Sequence, residues 1–330
     1  MNTVDSILSG NRLTLSRLLT EVENETGAGK TALNELFTRS GRAHLIGVTG
    51  APGTGKSSLV NRVVQLIRRE RKLTVAIVAI DPSSPFTGGA ILGDRVRMRD
   101  LAGDQGVFIR SMASRGELGG LARATAGIVQ ILDAAGYDLI LIETVGAGQS
   151  EVDVARLAHT TIVVESPGMG DDIQAIKAGI LEIADILVIN KADMPGVENT
   201  ERALRANLEL GYSNRVNGKS GHGLFTETSI ESSDEWIPPI IKTIAIEETG
   251  IPEVIVAINN HREYLQRTGL YQLRDRERLK NEFEHQLQHA LMENWKSTSS
   301  PKAVADVLEE VFQRSRSPGN AVEQLVKKSN

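Results

Sequence analysis

Seven short apolar runs, separated by helix-length segments, constrain what this chain can fold into more than any other feature. Between residues 44 and about 246 they read HLIGVTG, TVAIVAID, GVFIRSM, YDLILIETVG, HTTIVVESP, ILVINKAD and PIIKTIAI. Each is rich in β-branched residues and lacks the polar alternation of a strand wetted on one face, so each reads as a strand buried on both faces. Strands of that kind joined by helical crossovers predict an α/β domain with a mainly parallel seven-stranded sheet and helices on both sides.

Helical patterns flank this block. Ile7, Leu8, Leu15, Leu18, Leu19 and Val22 recur near the 3.6-residue period, which predicts an N-terminal helical extension over residues 1–43. Beyond the core block of 44–250, residues 251–330 become charged and helical, with Leu279, Phe283, Leu287 and Leu291 spaced to give one apolar face. Such a face packs on its own domain or on a second copy of the chain. No internal repeat is evident.

Composition excludes several chemistries. The 330 residues carry a net charge of −5, which provides no basic surface for nucleic acid or an anionic membrane, and neither is expected as a partner. The N-terminal stretch MNTVDSILSGNRLTLSRLL has no basic start followed by an apolar core, and runs such as LTVAIVAI are too short to span a bilayer. The expected location is the cytoplasm. Without a single cysteine the chain has no disulfide, thiolate zinc site, iron–sulfur cluster or thiol nucleophile.

The first strand runs into Gly50, Ala51, Pro52, Gly53, Thr54, Gly55, Lys56, Ser57, which fits G-x-x-x-x-G-K-[ST] and is followed by Ser58 and the helical pattern LVNRVVQLIRR. The glycines let backbone N–H groups converge on phosphates, Lys56 reaches the β and γ phosphates, and the Ser57 hydroxyl is a ligand for Mg²⁺. A second G-K-T at Gly29, Lys30 and Thr31 lacks the leading glycine, has Asn24 in that place, and follows helix rather than strand. It is expected to be a polar interhelical turn.

The base is read from Asn190, Lys191, Ala192 and Asp193 at the end of the strand ILVIN. Asp193 can accept from N1–H and the 2-amino group of guanine, which adenine does not offer; a buried polar group left unmatched costs roughly 1–3 kcal/mol. Lys191 can lay its stem over the base and Asn190 can tie the loop down. The expected ligand is GTP or GDP. Asp81, Asp94 and Glu143 are the acids for Mg²⁺ and the attacking water, Asp81 and Glu143 because they end parallel strands beside the ligand crevice. Glu143 holds the Walker-B place. Where small signalling GTPases carry a water-orienting glutamine, this chain has Ala147, with Gln149 two residues on, so unaided hydrolysis is expected to be slow and a partner to set its rate. Arg95, Arg97 and Arg99 alternate in GDRVRMRDL and suit a partner, the γ-phosphate or a solvated face.

GAPGTGKSSL, AIDPSSPFTGGAILGDRVRM, SMASRGELGGLA, LIETVGAGQSEVDV and SPGMGDDIQAIKAGILEIADILVINKAD together resemble the MeaB/ArgK family, the GTPase chaperones of methylmalonyl-CoA mutase. The resemblance is dense over about 40–200, and the flanking helices agree in kind with that family's N-terminal extension and C-terminal dimerisation arm. It implies a P-loop GTPase that binds an adenosylcobalamin-dependent acyl-CoA mutase, gates delivery, retention or removal of the cobalamin cofactor, and forms a homodimer. It further implies Lys56 and Ser57 at phosphate and Mg²⁺, Asp81, Asp94 and Glu143 around metal and water, and a switch over Ser166 to Lys177. One departure is Ile244 and Ala245 where the family usually closes the base pocket with Ser-Ala, which leaves the guanine contact there to backbone N–H and predicts weaker binding. Two other readings remain open. A nickel-delivery GTPase would need ligands beyond His285 and His289, and a kinase would pass phosphate to an acceptor instead of water.

Overall fold

A computed structural model describes residues 3–82, 98–114, 120–144, 150–168, 181–216 and 235–327. Among these residues the seven apolar runs form one sheet: β1 His44–Thr49, β2 Val75–Pro82, β3 Val107–Ser114, β4 Leu139–Thr144, β5 Thr160–Glu165, β6 Ile186–Asn190 and β7 Ile240–Thr243. The spatial order is β3-β2-β4-β1-β5-β6-β7 and every strand pair is parallel. Strands β1, β4, β5 and β6 are buried at every residue, which is why their sequences do not alternate. β1 lies between β4 and β5, so the chain leaves it in one direction and later returns on its other side. In parallel sheets the crevice at such a reversal, beyond the carboxyl ends of the strands, is where ligands bind.

On one face, α4 Lys56–Arg71 and α8 Ile251–Thr268 bury Leu59, Val60, Val63, Val254 and Ile258 against Ile46, Val48 and Ile77. The other face carries α5 Gly120–Ala134 and α6 Ser150–Leu157 together with the N-terminal helices α1 Thr3–Leu8, α2 Arg12–Glu23 and α3 Gly27–Leu36. There Leu15, Leu19 and Leu36 share one core with Ile128, Ile131, Leu45 and Val78. α7 Val197–Val216 covers Val163, Leu187 and Ile189 with Leu204. The N-terminal helices are also fixed by polar contacts: the Arg12 guanidinium donates to the Gln105 carbonyl at 2.9 Å and stands over the Phe108 ring.

The upstream G-K-T differs from the expected turn. Thr26 caps α3, accepting from Gly29 N at 3.1 Å, so Gly27 to Thr31 form the first turns of that helix. Gly29 lies against the α2 backbone, where a Cβ would come within 2.7 Å of the Glu21 carbonyl oxygen. The glycine there serves close helix packing.

At the amino ends of the strands, opposite the crevice, a buried polar network fixes the C-terminal helices. His44 Nε2 and His261 Nδ1 each lie 2.9 Å from Thr160 Oγ1. His261 Nε2 stands 3.3 Å from Asp185, whose carboxylate takes both arms of the Arg274 guanidinium at 2.9 Å. Arg274 belongs to α9 Leu270–Thr298. Burial favours the protonated form of Asp185, yet the charges and hydrogen bonds of Arg274 and His261 outweigh it and hold the carboxyl well below its ordinary range.

The chain divides into two compact units, Met1–Arg278 and Leu279–Asn330. The second contains the rest of α9, α10 Pro301–Phe312 and α11 Pro318–Lys327. Val307 and Ala321 are its buried apolar residues, whereas Phe283, Leu287, Leu291, Met292, Leu308, Phe312, Val322 and Val326 are exposed.

Candidate nucleotide site

The loop Gly50 to Gly55 leaves the carboxyl end of β1 and enters α4 directly. Gly50, Gly53 and Gly55 have φ of +137°, +82° and +90°, a region that side chains with a Cβ rarely adopt. A Cβ on Gly50 would sit 2.0 Å from the Val164 carbonyl oxygen, and one on Gly55 would sit 2.3 Å from Asn190 Nδ2. Gly55 is the N-cap of α4 and supplies no capping side chain. The N–H groups at the start of an α-helix face outward past its first turn, here towards the loop, where they and the helix dipole favour an anion.

Lys56 is buried, and its Nζ donates to the carbonyls of Gly50 and Ala51 at 2.7 and 2.9 Å. The ammonium is thus held inside the ring that a phosphate would enter. Thr54 Oγ1 donates to Ala51 O at 3.0 Å, while Pro52 and Gly53 are exposed and Ser58 is half-buried. Ser57 Oγ donates to Glu143 Oε1 at 2.6 Å, with both side chains buried. This contact joins the helix start to the end of β4, and its hydroxyl and carboxylate oxygens are hard donors of the kind Mg²⁺ takes.

Asn190 links three segments. Its Nδ2 donates to Thr54 O at 2.8 Å, and its Oδ1 accepts from Thr243 Oγ1 and Ala245 N, each at 3.1 Å. Lys191, at φ +57°, donates to Gly53 O at 2.8 Å, so its stem runs from the base motif towards the phosphate loop. Asp193 is exposed at the following turn. Ile244 forms a bridge with Thr249 that shapes the loop, and the Ala245 N–H expected at the base is engaged by Asn190.

The structure thereby brings Gly50 to Ser57, Glu143, Asn190, Lys191 and Ala245 to one end of the sheet. Asp81 is the penultimate residue of β2, paired with Ala113 of β3, but its side chain is outside the described residues. Also outside them are Asp94, Arg95, Arg97, Ala147, Gln149, the Arg99 side chain and residues 169–180, which include most of the expected switch. Ser166 at its start is buried. Among the described residues no cluster of three or more His, Cys, Asp or Glu is placed to hold a metal, His285 and His289 included, and no helix is long and apolar enough to cross a membrane.

Sequence reasoning overlooked one acid. Glu165 ends β5 and is only 4% exposed. Burial pushes its carboxyl up to about 7, against the pull of the Lys56 charge and with a further push from Glu151. The signal was available, since a carboxylate ending a parallel strand is the criterion that singled out Asp81 and Glu143.

Residues 15–300 match the family model described as methylmalonyl-CoA mutase-associated GTPase MeaB. The chain belongs to the MeaB family of GTPases. Over 267 residues it is 38% identical to the GTPase ArgK of Escherichia coli, covering 80% of this chain and 76% of that protein. It is 27% identical over 337 residues to the mitochondrial methylmalonic aciduria type A homolog of Caenorhabditis elegans, covering 98% and 81%. Among solved structures it resembles the one titled LAO/AO transport system kinase, with a TM-score of 0.68 and 27% identity over 98% of this chain and 95% of that one. This MeaB-family chain is a P-loop GTPase, and its reaction is hydrolysis of GTP to GDP and phosphate.

Proposed function

We propose that the chain is a mutase chaperone whose GTP hydrolysis gates loading, protection and exchange of adenosylcobalamin on methylmalonyl-CoA mutase or a related acyl-CoA mutase. The observation that carries this reading is the family match over residues 15–300, whose description names association with that mutase. In the site, Gly50 to Ser58 bind the phosphates and Asn190, Lys191, Asp193 and the Ile244–Ala245 loop bind guanine. Ser57 and Glu143 fit Mg²⁺ as a pair of oxygen donors, with Asp81 and Asp94 as further ligands; bound there, the ion neutralises charge on the β and γ oxygens. Lys56, whose Nζ sits at the Gly50 and Ala51 carbonyls, is the cation that meets those oxygens. Ala147, standing where a water-orienting glutamine is expected, supports slow hydrolysis that the mutase stimulates. The exposed apolar row Phe283, Leu287 and Leu291 supports a homodimer in which a second copy covers it.

The test is GTP turnover by the full chain alone and with a panel of adenosylcobalamin-dependent acyl-CoA mutases, with Asp193→Asn as control. Slow turnover that rises at least tenfold with one mutase is the expected result. Intact GTP binding with no rise from any mutase would sink the chaperone reading, and transfer of the γ-phosphate to an acceptor instead of water would favour a kinase.

A further inference from the structure

Glu165 lies where the phosphate loop and the sheet meet. β5 pairs with β1 as far as Val163 opposite Thr49, and Glu165 pairs with Ile189 of β6 on its other side. The loop's first glycine leans on Val164, the residue before it. Among the described residues two charged groups act on the Glu165 carboxyl: Lys56 at the start of α4 and Glu151, itself buried, in the first turn of α6. The flanking strands end in Thr49 and Asn190, which carry no charge. Lys56 is therefore the one cation that stabilises ionised Glu165 in this set, and it is also the cation a nucleotide's phosphates require.

Both claims on Lys56 cannot be met at full strength. When phosphate oxygens take the ammonium, Glu165 loses part of its compensating charge and gains a negative neighbour. Each change favours the protonated carboxyl. We propose that Glu165 is a positioning residue of the phosphate site that balances Lys56 as a carboxylate and becomes a neutral acid when a nucleotide phosphate claims that lysine, so that nucleotide binding takes up a proton from solvent. This deepens the GTPase reading and rests on nucleotide binding at this loop. No other bond is made or broken; one proton passes from water to a Glu165 oxygen.

The sign follows from linkage. The free carboxyl titrates near 7, and the nucleotide-bound one titrates higher. Affinity is then independent of this group below that range and falls as pH rises through it, by at most about tenfold per pH unit. The effect belongs to the phosphates, so guanosine alone is expected not to elicit it.

The experiment is calorimetric titration of the full chain with GDP at pH 7.5 and 8.5, where the nucleotide's own phosphates are ionised, in two buffers of different ionisation enthalpy. Wild type is expected to take up a substantial fraction of one proton per GDP and to bind several-fold more weakly at the higher pH. Glu165→Gln is expected to bind with neither proton uptake nor that pH dependence. Equal proton uptake in wild type and Glu165→Gln, or none in wild type, overturns the proposal, whereas failure of wild type to bind GDP would sink the nucleotide reading beneath it. Should Glu165→Gln not fold, Glu151→Gln carries the test, because removing the like charge must move the pH of half-maximal uptake downwards; no movement overturns the proposal.

Discussion

Single side chains in this site are legible in the sequence when their chemistry depends on immediate neighbours along the chain. Gly50 to Ser57 and Asn190 to Asp193 are contiguous motifs, and the structure brings them into contact through Asn190 and Thr54, and through Lys191 and Gly53. Glu165 was not legible in the same way: its importance arises from burial and from Lys56, which the pairing of β5 with β1 brings near. The glycines supply the sharpest test at this level. Gly50→Ala puts a Cβ 2.0 Å from the Val164 carbonyl oxygen at φ +137°, and the nearest atoms all belong to the Val164 backbone, which has no flexible end that can yield. Backbone strain of this kind costs roughly 1–3 kcal/mol before the clash is counted. The expected outcome is a GDP affinity at least about tenfold lower together with a lower melting temperature; unchanged values of both would show that the loop tolerates a conformation other than the one described.

Among the elements, the strands were placed by their buried apolar pattern, while the polar network at their amino ends was invisible. His44 starts β1, His159 directly precedes β5 and His261 lies inside α8, with more than two hundred residues between the first and the last. Burial first of all holds His44 well below its ordinary range, and burial likewise lowers His159 against the opposing pull of Asp275. Both imidazoles are thus neutral in the fold. In the unfolded chain they titrate near pH 6.5. Above that value neither state binds the protons and stability is indifferent to them. As pH falls below about 6.5 the unfolded chain takes up protons the fold refuses, so stability drops by up to about 1.4 kcal/mol per pH unit per histidine. Asp185, held below its ordinary range, adds a second loss of stability below about pH 4. Urea midpoints measured from pH 8 to 5 are expected to be flat at first and then to fall below about 6.5; a midpoint constant down to pH 5 would contradict the neutral, buried imidazoles.

For the molecule as a whole, compactness divides the chain at Arg278 and Leu279, within a continuous helix. The helical period was readable over both halves of that helix, yet the halves differ in what they touch. The amino-terminal half spends Arg274 and Tyr271 on Asp185 and the Ala43 carbonyl. The exposed apolar residues of the second unit include Phe283 at 64% and Leu291 at 60%. Under the dimer reading, Phe283→Lys with Leu291→Lys is expected to convert a full-chain dimer into a monomer by sedimentation and to leave GDP affinity within about twofold. A wild-type chain that sediments as a monomer would remove that reading. The N-terminal helices teach the complementary lesson: their period predicted helices, but only packing made Leu15, Leu19 and Leu36 part of the main core with Ile128 and Val78.

The amino-acid sequence was sufficient for the α/β class, the seven strands, the glycine-rich turn between β1 and α4 and the family, because periodicity and contiguous motifs are local properties of a chain. Tertiary structure alone decided that Gly29 serves helix packing, that three histidines are buried near Asp185 and Arg274, and that Glu165 is buried within reach of the Lys56 charge. Those outcomes depend on which distant groups lose water together, and desolvation at long range leaves no pattern in the order of residues.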